Sequence, residues 1–250
     1  MKTNSRVTVI VPTYQHQDYL RCSILSILNS TIPVEVIIVP VLSDNSTRDE
    51  ICHLNEELCC IDRKVTIILS EKADVFAQMQ LGLNDVKTEF LFFLGSDDAI
   101  LPSMAQRMLE VAERSGSPNP IVGMSCLLTD ENLNVGEPKR LREFDLSTEM
   151  HRSMIPDNSL VRTDSMRKVG GFFDGGRDWG YLNHYALWLR MLKIPDTKVF
   201  LLPEIGWLYR QTGNNRSIKR YDTRKKLKDH HKRQRELARY YYPKGWNLGR

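Results

Sequence analysis

No apolar run in the 250-residue sequence approaches the roughly 20 residues that a membrane-spanning helix requires. The first residues, "MKTNSRVTVIVPTY", pass from a polar lead straight into a strand pattern, with no long apolar segment and small-residue cleavage site. A secretory signal is therefore not expected, and the chain reads as cytosolic. Cysteine is scarce: Cys22, Cys52, Cys59, Cys60 and Cys126 form neither a CxxC pair nor a regular framework. Structural zinc and disulfide scaffolds both need such spacings, so free thiols in a reducing compartment are the expectation. Gly-rich phosphate loops of either familiar spacing are also missing, as are repeats, low-complexity tracts and obvious flexible linkers.

What is present suits a globular domain, with 41% hydrophobic and 26% charged residues. A chain of this length can bury a large core without cross-links. The net charge of +4 conceals an asymmetry. From Arg210 onward, 14 Lys and Arg face three Asp and Glu, a net of +11, whereas the first 209 residues carry 21 against 28, a net of −7. A basic tail on an acidic body suggests an anionic partner, unless it serves only as a solvated helix.

The first half alternates strand and helix patterns. "VTVIV" (7–11), "VEVIIV" (34–39), "KVTIIL" (64–69) and "EFLFFL" (89–94) are continuous apolar runs, as expected of parallel strands covered on both faces. Between them lie "QDYLRCSILSILNS", "STRDEICHLNEEL" and "DVFAQMQLGL", which have helical spacing, and "PSMAQRMLEVAERSG" follows. The order predicts an α/β fold with a doubly wound, mostly parallel sheet flanked by helices. The second half is less regular. A strand and turn open it at Ile121, residues 136–153 form a polar connection, and "TDSMRKVGG" and "NHYALWLRMLK" read as helices before a late strand "KVFLLP". The expected division is a domain over 1–216, with halves at 1–100 and 101–216, and a basic helical extension over 217–250.

In an open parallel sheet, ligands bind beyond the carboxyl ends of the strands. There the sequence offers Pro12-Thr13-Tyr14, Ser43-Asp44-Asn45-Ser46, Ser70-Glu71 and Ser96-Asp97-Asp98. A buried strand that ends in two adjacent aspartates calls for a cation. A site handling phosphates without a Gly-rich loop commonly recruits magnesium or manganese through carboxylates.

The ordered set "VTVIVPTY", "EVIIV…SDNST", "SEK…VFAQMQLGL" and "EFLFFLGSDD" resembles the family 2 glycosyltransferases of the GT-A fold. "SLVRTDSMRKVGGFFD", "HYALWLRML" and "VFLLPEIGWLYRQTG" extend the likeness over about residues 6 to 217. The resemblance implies an inverting hexosyltransferase that uses a nucleotide-sugar, with a UDP-sugar as first choice of donor. Pro12, Thr13, Tyr14, Asp44, Glu71 and Asp97 would contact the nucleotide-sugar. Thr13 and Tyr14 would flank the base, and Asp44 would accept a hydrogen bond from it. Asp98, with Asp97 beside it in a DXD-like motif, would ligate Mn2+ or Mg2+ under the diphosphate.

The sequence departs from the family pattern in several places. His184, Tyr185 and Ala186 stand where the family has D-Y-D, so the usual base carboxylate is missing. A neutral His184 could take the acceptor's proton, or it could be idle beside Leu187 and Trp188. Asp178 is the rival base. Strand two is about three residues longer than the pattern, loses its first acidic position and ends at Pro40, and Ala77 and Gln80 replace the usual aspartate and asparagine. Trp179 and Trp207 either stack on a sugar or belong to the core, and Arg210 either reaches a phosphate or forms a surface ion pair. His230 and His231 read as solvated. Three functions stay open: transfer to a glycan or lipid-linked glycan, with the tail touching the inner face of a membrane; transfer to a hydroxylated base in nucleic acid; and a non-catalytic binding module.

Overall fold

The computed structural model describes residues 5–58, 65–173, 175–212 and 223–243. Cys59, Cys60 and the boundary expected at 216/217 lie outside the described residues. Strands β1 (Val7–Thr13), β2 (Val34–Pro40), β3 (Val65–Ile67) and β4 (Phe90–Phe93) pair in parallel, in the order β3-β2-β1-β4. Their apolar runs are continuous because both faces are covered. Val7, Val9, Val11, Phe90 and Phe92 pack with α1 (Gln17–Leu28), α2 (Asn45–Leu58) and α4 (Met104–Arg114). The alternate residues Ile10, Ile37, Val39, Leu91 and Phe93 pack with α3 (Val75–Asp85), α6 (Thr163–Lys168) and α7 (Asn183–Met191). This period-two division between two helical layers is the doubly wound arrangement the sequence predicts. Helix α3 lies so close to β1 that a Cβ on Gly82 would come within 2.6 Å of Ile10 Cγ2, which is why this helix tolerates a glycine.

Beyond β4 the sheet is mixed. Strand β8 (Leu160–Arg162) pairs antiparallel with both β4 and β6 (Asn119–Thr129), and β7 (Val135–Lys139) folds back on β6 as a hairpin. The late strand, β9 (Thr197–Arg210), does not stop at Pro203 as its sequence pattern suggests. Its register against β6 jumps from Met124↔Leu202 to Ser125↔Ile205, so Pro203 and Glu204 bulge out and the strand continues. That continuation carries Arg210 to the end of β4. The two-residue β5 (Ala99–Ile100) pairs with Leu208 and Trp207 of β9, pinning the turn between β4 and β5 from below. Trp207 is half-buried against the first core layer and donates its indole N–H to Met124 O, so it belongs to the packing.

Within the polar connection of residues 136–153 lies a short helix, α5 (Leu146–Glu149), capped by Asp145. The basic helix α8 (Arg224–Tyr241) is held against α7: Leu237, Ala238 and Tyr241 are buried with Leu182, Tyr185, Ala186 and Leu189. No helix among the described residues is long and apolar enough to cross a membrane.

Candidate active site

The turn after β1 and the start of α2 are locked together by one carboxylate. Asp44 Oδ2 accepts the Gln15 N–H at 2.5 Å and the Thr47 hydroxyl at 2.6 Å, while Oδ1 accepts the Thr47 N–H at 3.2 Å. The Thr47 bond caps α2. The Gln15 bond holds a non-glycine residue at φ 56°, a conformation that persists only where its surroundings impose it. Burial would raise the Asp44 carboxyl, but the donors from Gln15 and Thr47 outweigh it and hold the group below its usual range. Asp44 is therefore an ionised, preset acceptor. A cleft of about 480 Å³ opens here, lined by Tyr14, Gln15, Gln17, Ser43, Asp44, Asn45 and Ser46.

Helix α3 braces this cleft from beneath. The buried Gln78 amide donates to Thr13 O at 2.8 Å and to Val39 O at 2.5 Å, tying the ends of β1 and β2. Pro12 is buried within β1, and Glu71 is exposed beyond the end of β3. Thr13 Oγ1 and both side-chain polar atoms of Asn158 are buried without a partner among the described residues. Each costs about 1–3 kcal/mol unless a ligand or water satisfies it.

At the end of β4 the chain turns through Gly95-Ser96-Asp97-Asp98, closed by the Asp98 N–H to Gly95 O bond at 3.1 Å. Ser96 Oγ meets His16 Nδ1 at 2.9 Å, and Ser23 donates to Gly95 O at 3.3 Å, so helix α1 and its entry turn hold this segment. Asp97 Oδ1 lies 2.8 Å and Asp98 Oδ2 3.1 Å from the point where a Cβ on Gly95 would stand. The absence of a side chain on Gly95 thus leaves a cradle into which two carboxylate oxygens converge.

Arg210 frames the same turn. Its backbone N–H donates to Asp98 Oδ1 at 3.0 Å, its Nε donates to Asp97 O at 2.6 Å, and Nη1 donates to Glu131 O. The guanidinium lies 4.7 Å from the centroid of the Tyr19 ring. Arg210 is buried at 4% exposure, so it is no surface ion pair; it positions the two aspartates. Burial, and then the charge of Asp97, push the Asp98 carboxyl well above its usual value, while the Arg210 N–H and charge pull the other way. A buried acid of this kind becomes a carboxylate when a cation arrives.

The donor set fits a hard divalent ion. Such ions take oxygen ligands, and magnesium is commonly held by one or two carboxylates plus substrate phosphates. Asp97 and Asp98 would supply that pair. No group of three or more His, Cys, Asp or Glu that could hold a metal converges among the described residues, so an ion at this pair would need further ligands from phosphate or water.

A second constellation sits at the start of α7. His184 Nδ1 lies 3.2 Å from Asp157 Oδ2, and the imidazole meets Phe76 and Phe172 edge-on at 5.0 and 5.2 Å between centroids. Phe172 in turn contacts Phe93 at 5.0 Å, so two ring contacts connect His184 to the strand that ends in the aspartates. His184 thus packs against two phenyl rings and also faces a carboxylate. Asp157, which sequence reasoning missed, is the carboxylate that the fold brings to His184. Asp178 plays a different part, because its Oδ1 accepts the Gly180 N–H and the Asn183 amide, both at 2.7 Å, and shapes the turn into α7. Trp179 donates its indole N–H to Tyr241 OH at 3.1 Å and packs on Tyr240, so it anchors α8.

A sequence model described as "Glycosyl transferase family 2" matches residues 8–168, a range that includes both Asp44 and the Asp97-Asp98 turn. The chain belongs to that family and is by membership an enzyme of the glycosyltransferase type. An uncharacterised glycosyltransferase of Haemophilus influenzae is 25% identical over 95% of this chain and 75% of its own length. By contrast, the chain spans only 14% of the length of another curated relative, a pneumococcal glycosyltransferase. Among solved structures, Staphylococcus aureus TarS 1–349 in complex with UDP-GlcNAc superposes with a TM-score of 0.66 at 14% identity, covering 98% of this chain and 74% of that one. A mannosyltransferase from Pyrobaculum calidifontis, in complex with GDP-Man and Mn2+, gives 0.62 at 14% identity, covering 97% and 73%. These likenesses define the fold: a curled α/β sheet flanked by helices, of the GT-A type.

Proposed function

We propose that this protein transfers a sugar from a nucleoside-diphosphate sugar to an acceptor hydroxyl, with inversion, and that Asp97 and Asp98 hold a divalent metal under the donor's diphosphate. The observation that carries the reading is the convergence of Asp97 Oδ1 and Asp98 Oδ2 above Gly95, beside a cleft whose wall is the preset Asp44 carboxylate. The base would enter that cleft next to Tyr14 and hydrogen-bond to Asp44. Bound there, the metal supplies Lewis-acid stabilisation of the negative charge on the departing nucleoside diphosphate. UDP-GlcNAc in TarS makes a UDP-sugar the first donor to test, and GDP-Man in the archaeal enzyme the second.

His184 is assigned as the base. A carboxylate beside Nδ1 favours the tautomer with its proton on that atom, leaving Nε2 to accept a proton. In the transfer the acceptor oxygen forms a bond to the anomeric carbon while the bond from that carbon to the diphosphate oxygen breaks. The electron pair departs with the nucleoside diphosphate, and the acceptor's proton passes to His184 Nε2. The Asp157–His184 pair supports a catalytic protein over a binding module, because a carboxylate beside an imidazole is the arrangement that a histidine base uses. The acceptor class proposed is a glycan or lipid-linked glycan. Screening UDP-, GDP- and dTDP-sugars with and without Mn2+ tests the reading: one donor should be consumed in a manganese-dependent manner, and a panel with no turnover and no thermal stabilisation would reject it.

A further inference from the structure

A cavity of about 280 Å³ lies between α5 and α8, away from the donor cleft. Ser147, Thr148, His151 and Arg152 line it from α5 and the turn that follows, and His231 and Arg235 line it from α8. Four basic side chains from two elements face one small space. Among the described residues neither Arg152 nor Arg235 has an ion-pair partner. The nearby acid Asp145 is engaged in capping α5 through the Thr148 N–H at 2.6 Å, and Glu149 is buried with Oε2 on the Met154 N–H. His151 Nδ1 lies 2.7 Å from Ser147 O, which fixes its proton on that nitrogen and leaves Nε2 for another partner. Burial, then the charges of Arg152 and Arg235, lower the His231 pKa below its usual value.

The cavity is built on a rigid base. Leu237, Ala238 and Tyr241 seat α8 on α7, and Tyr242 OH donates to Leu189 O at 2.7 Å. The Tyr185 hydroxyl, one residue beyond His184, donates to Glu149 O and ties α5 to the same helix. Arg152 precedes Asp157 by five residues, so the cavity wall and the partner of His184 are at most roughly 18 Å apart along the chain.

We propose that this cavity is a phosphate-group site that holds a phosphate carried by the acceptor, separate from the donor's diphosphate. The identification as an acceptor site rests on the transfer reading above. Two planar guanidiniums lining one cavity suit a tetrahedral phosphate, whereas a nucleic-acid backbone would follow an extended basic track.

The test uses the full chain and an Arg152→Gln/Arg235→Gln double variant, with calorimetric titration of glycerol 3-phosphate and, separately, of UDP with Mn2+. The wild type should bind glycerol 3-phosphate, and the double variant should bind it at least tenfold more weakly with unchanged affinity for UDP and Mn2+. Equal glycerol 3-phosphate binding by the two proteins, or none by the wild type, overturns the site. A parallel arm compares phosphatidylglycerol vesicles with a phosphodiester-linked glycan and an oligonucleotide. Arginine-dependent binding of the glycan supports the acceptor assignment; arginine-dependent binding of vesicles or oligonucleotide alone overturns it. Loss of UDP and Mn2+ binding in the wild type would defeat the transfer reading while leaving the phosphate measurement to stand or fall by itself.

Discussion

Replacing Gly95 by alanine adds one methyl group where the two carboxylates meet. The new carbon would lie 2.8 Å from Asp97 Oδ1 and 3.1 Å from Asp98 Oδ2, inside the 3.4 Å at which ordinary contact begins. Asp98 cannot readily yield, because its other oxygen accepts the Arg210 N–H at 3.0 Å. Asp97 is only partly buried and can swing aside in the unloaded protein, so the fold loses little. In the loaded protein both oxygens must lie about 2.1 Å from the ion, and the methyl stands between them. An overpacking penalty of about 1–3 kcal/mol then falls on the loaded state alone. At about 1.4 kcal/mol per decade this weakens binding of nucleotide with Mn2+ by roughly 5- to 150-fold. Calorimetric titration of UDP with Mn2+ reads the loss, and a thermal melt without metal controls for folding. An unchanged affinity in a folded Gly95→Ala protein would refute the placement of the ion above Gly95.

Three other consequences follow from the geometry. His184→Ala should lower kcat by about 10²-fold or more with donor KM held, and Asp157→Asn by less, in steady-state assays at saturating donor; unchanged turnover in His184→Ala would remove it as base. Burial pushes the Glu149 carboxyl up to about 7 from 4.5, against the Met154 N–H, so the folded chain keeps a proton that the unfolded chain releases between those values. Stability should therefore fall by roughly 3 kcal/mol as pH rises through that window, and Glu149→Gln should flatten the decline in melts at pH 5 and pH 8; parallel curves would contradict the burial argument. Leu237→Ala, at a buried contact with α7, should cost about 2–4 kcal/mol in urea unfolding, whereas Leu227→Ala, at 40% exposure, should cost under about 0.5. Equal effects would mean that α8 is an appendage and not part of the core.

The parallel half of the fold was legible because its strands are buried on both faces, so their composition alone marks them. The Asp97-Asp98 turn was legible for a related reason: two acids directly after a buried apolar run contradict their surroundings unless a ligand resolves the conflict. Beyond β4 the signals weaken. The bulge at Pro203 hides the last part of β9 from a reading that stops strands at proline, and with it the link from Arg210 to the aspartates. Gln78 faces the sheet from a helix of apolar neighbours, a polar residue at a core position, and that mismatch was the available clue to its bracing role. Asp157 carried no clue, since nothing in "IPDN" connects it with a histidine 27 residues later; only the fold brings them together. Trp179 shows the opposite limit, because its aromatic character suggested sugar stacking and tertiary packing used it to seat α8.

The central claim is that Asp98 binds a metal on which transfer depends. Its most direct measurement is manganese-dependent consumption of the preferred nucleotide-sugar by wild type and by Asp98→Asn, with nucleotide affinity measured with and without Mn2+. The variant should fold, bind nucleotide equally with and without Mn2+, and lose at least about 10²-fold in turnover, since the charge that holds the ion is gone. Wild-type turnover in Asp98→Asn, with its manganese dependence intact, would contradict the account.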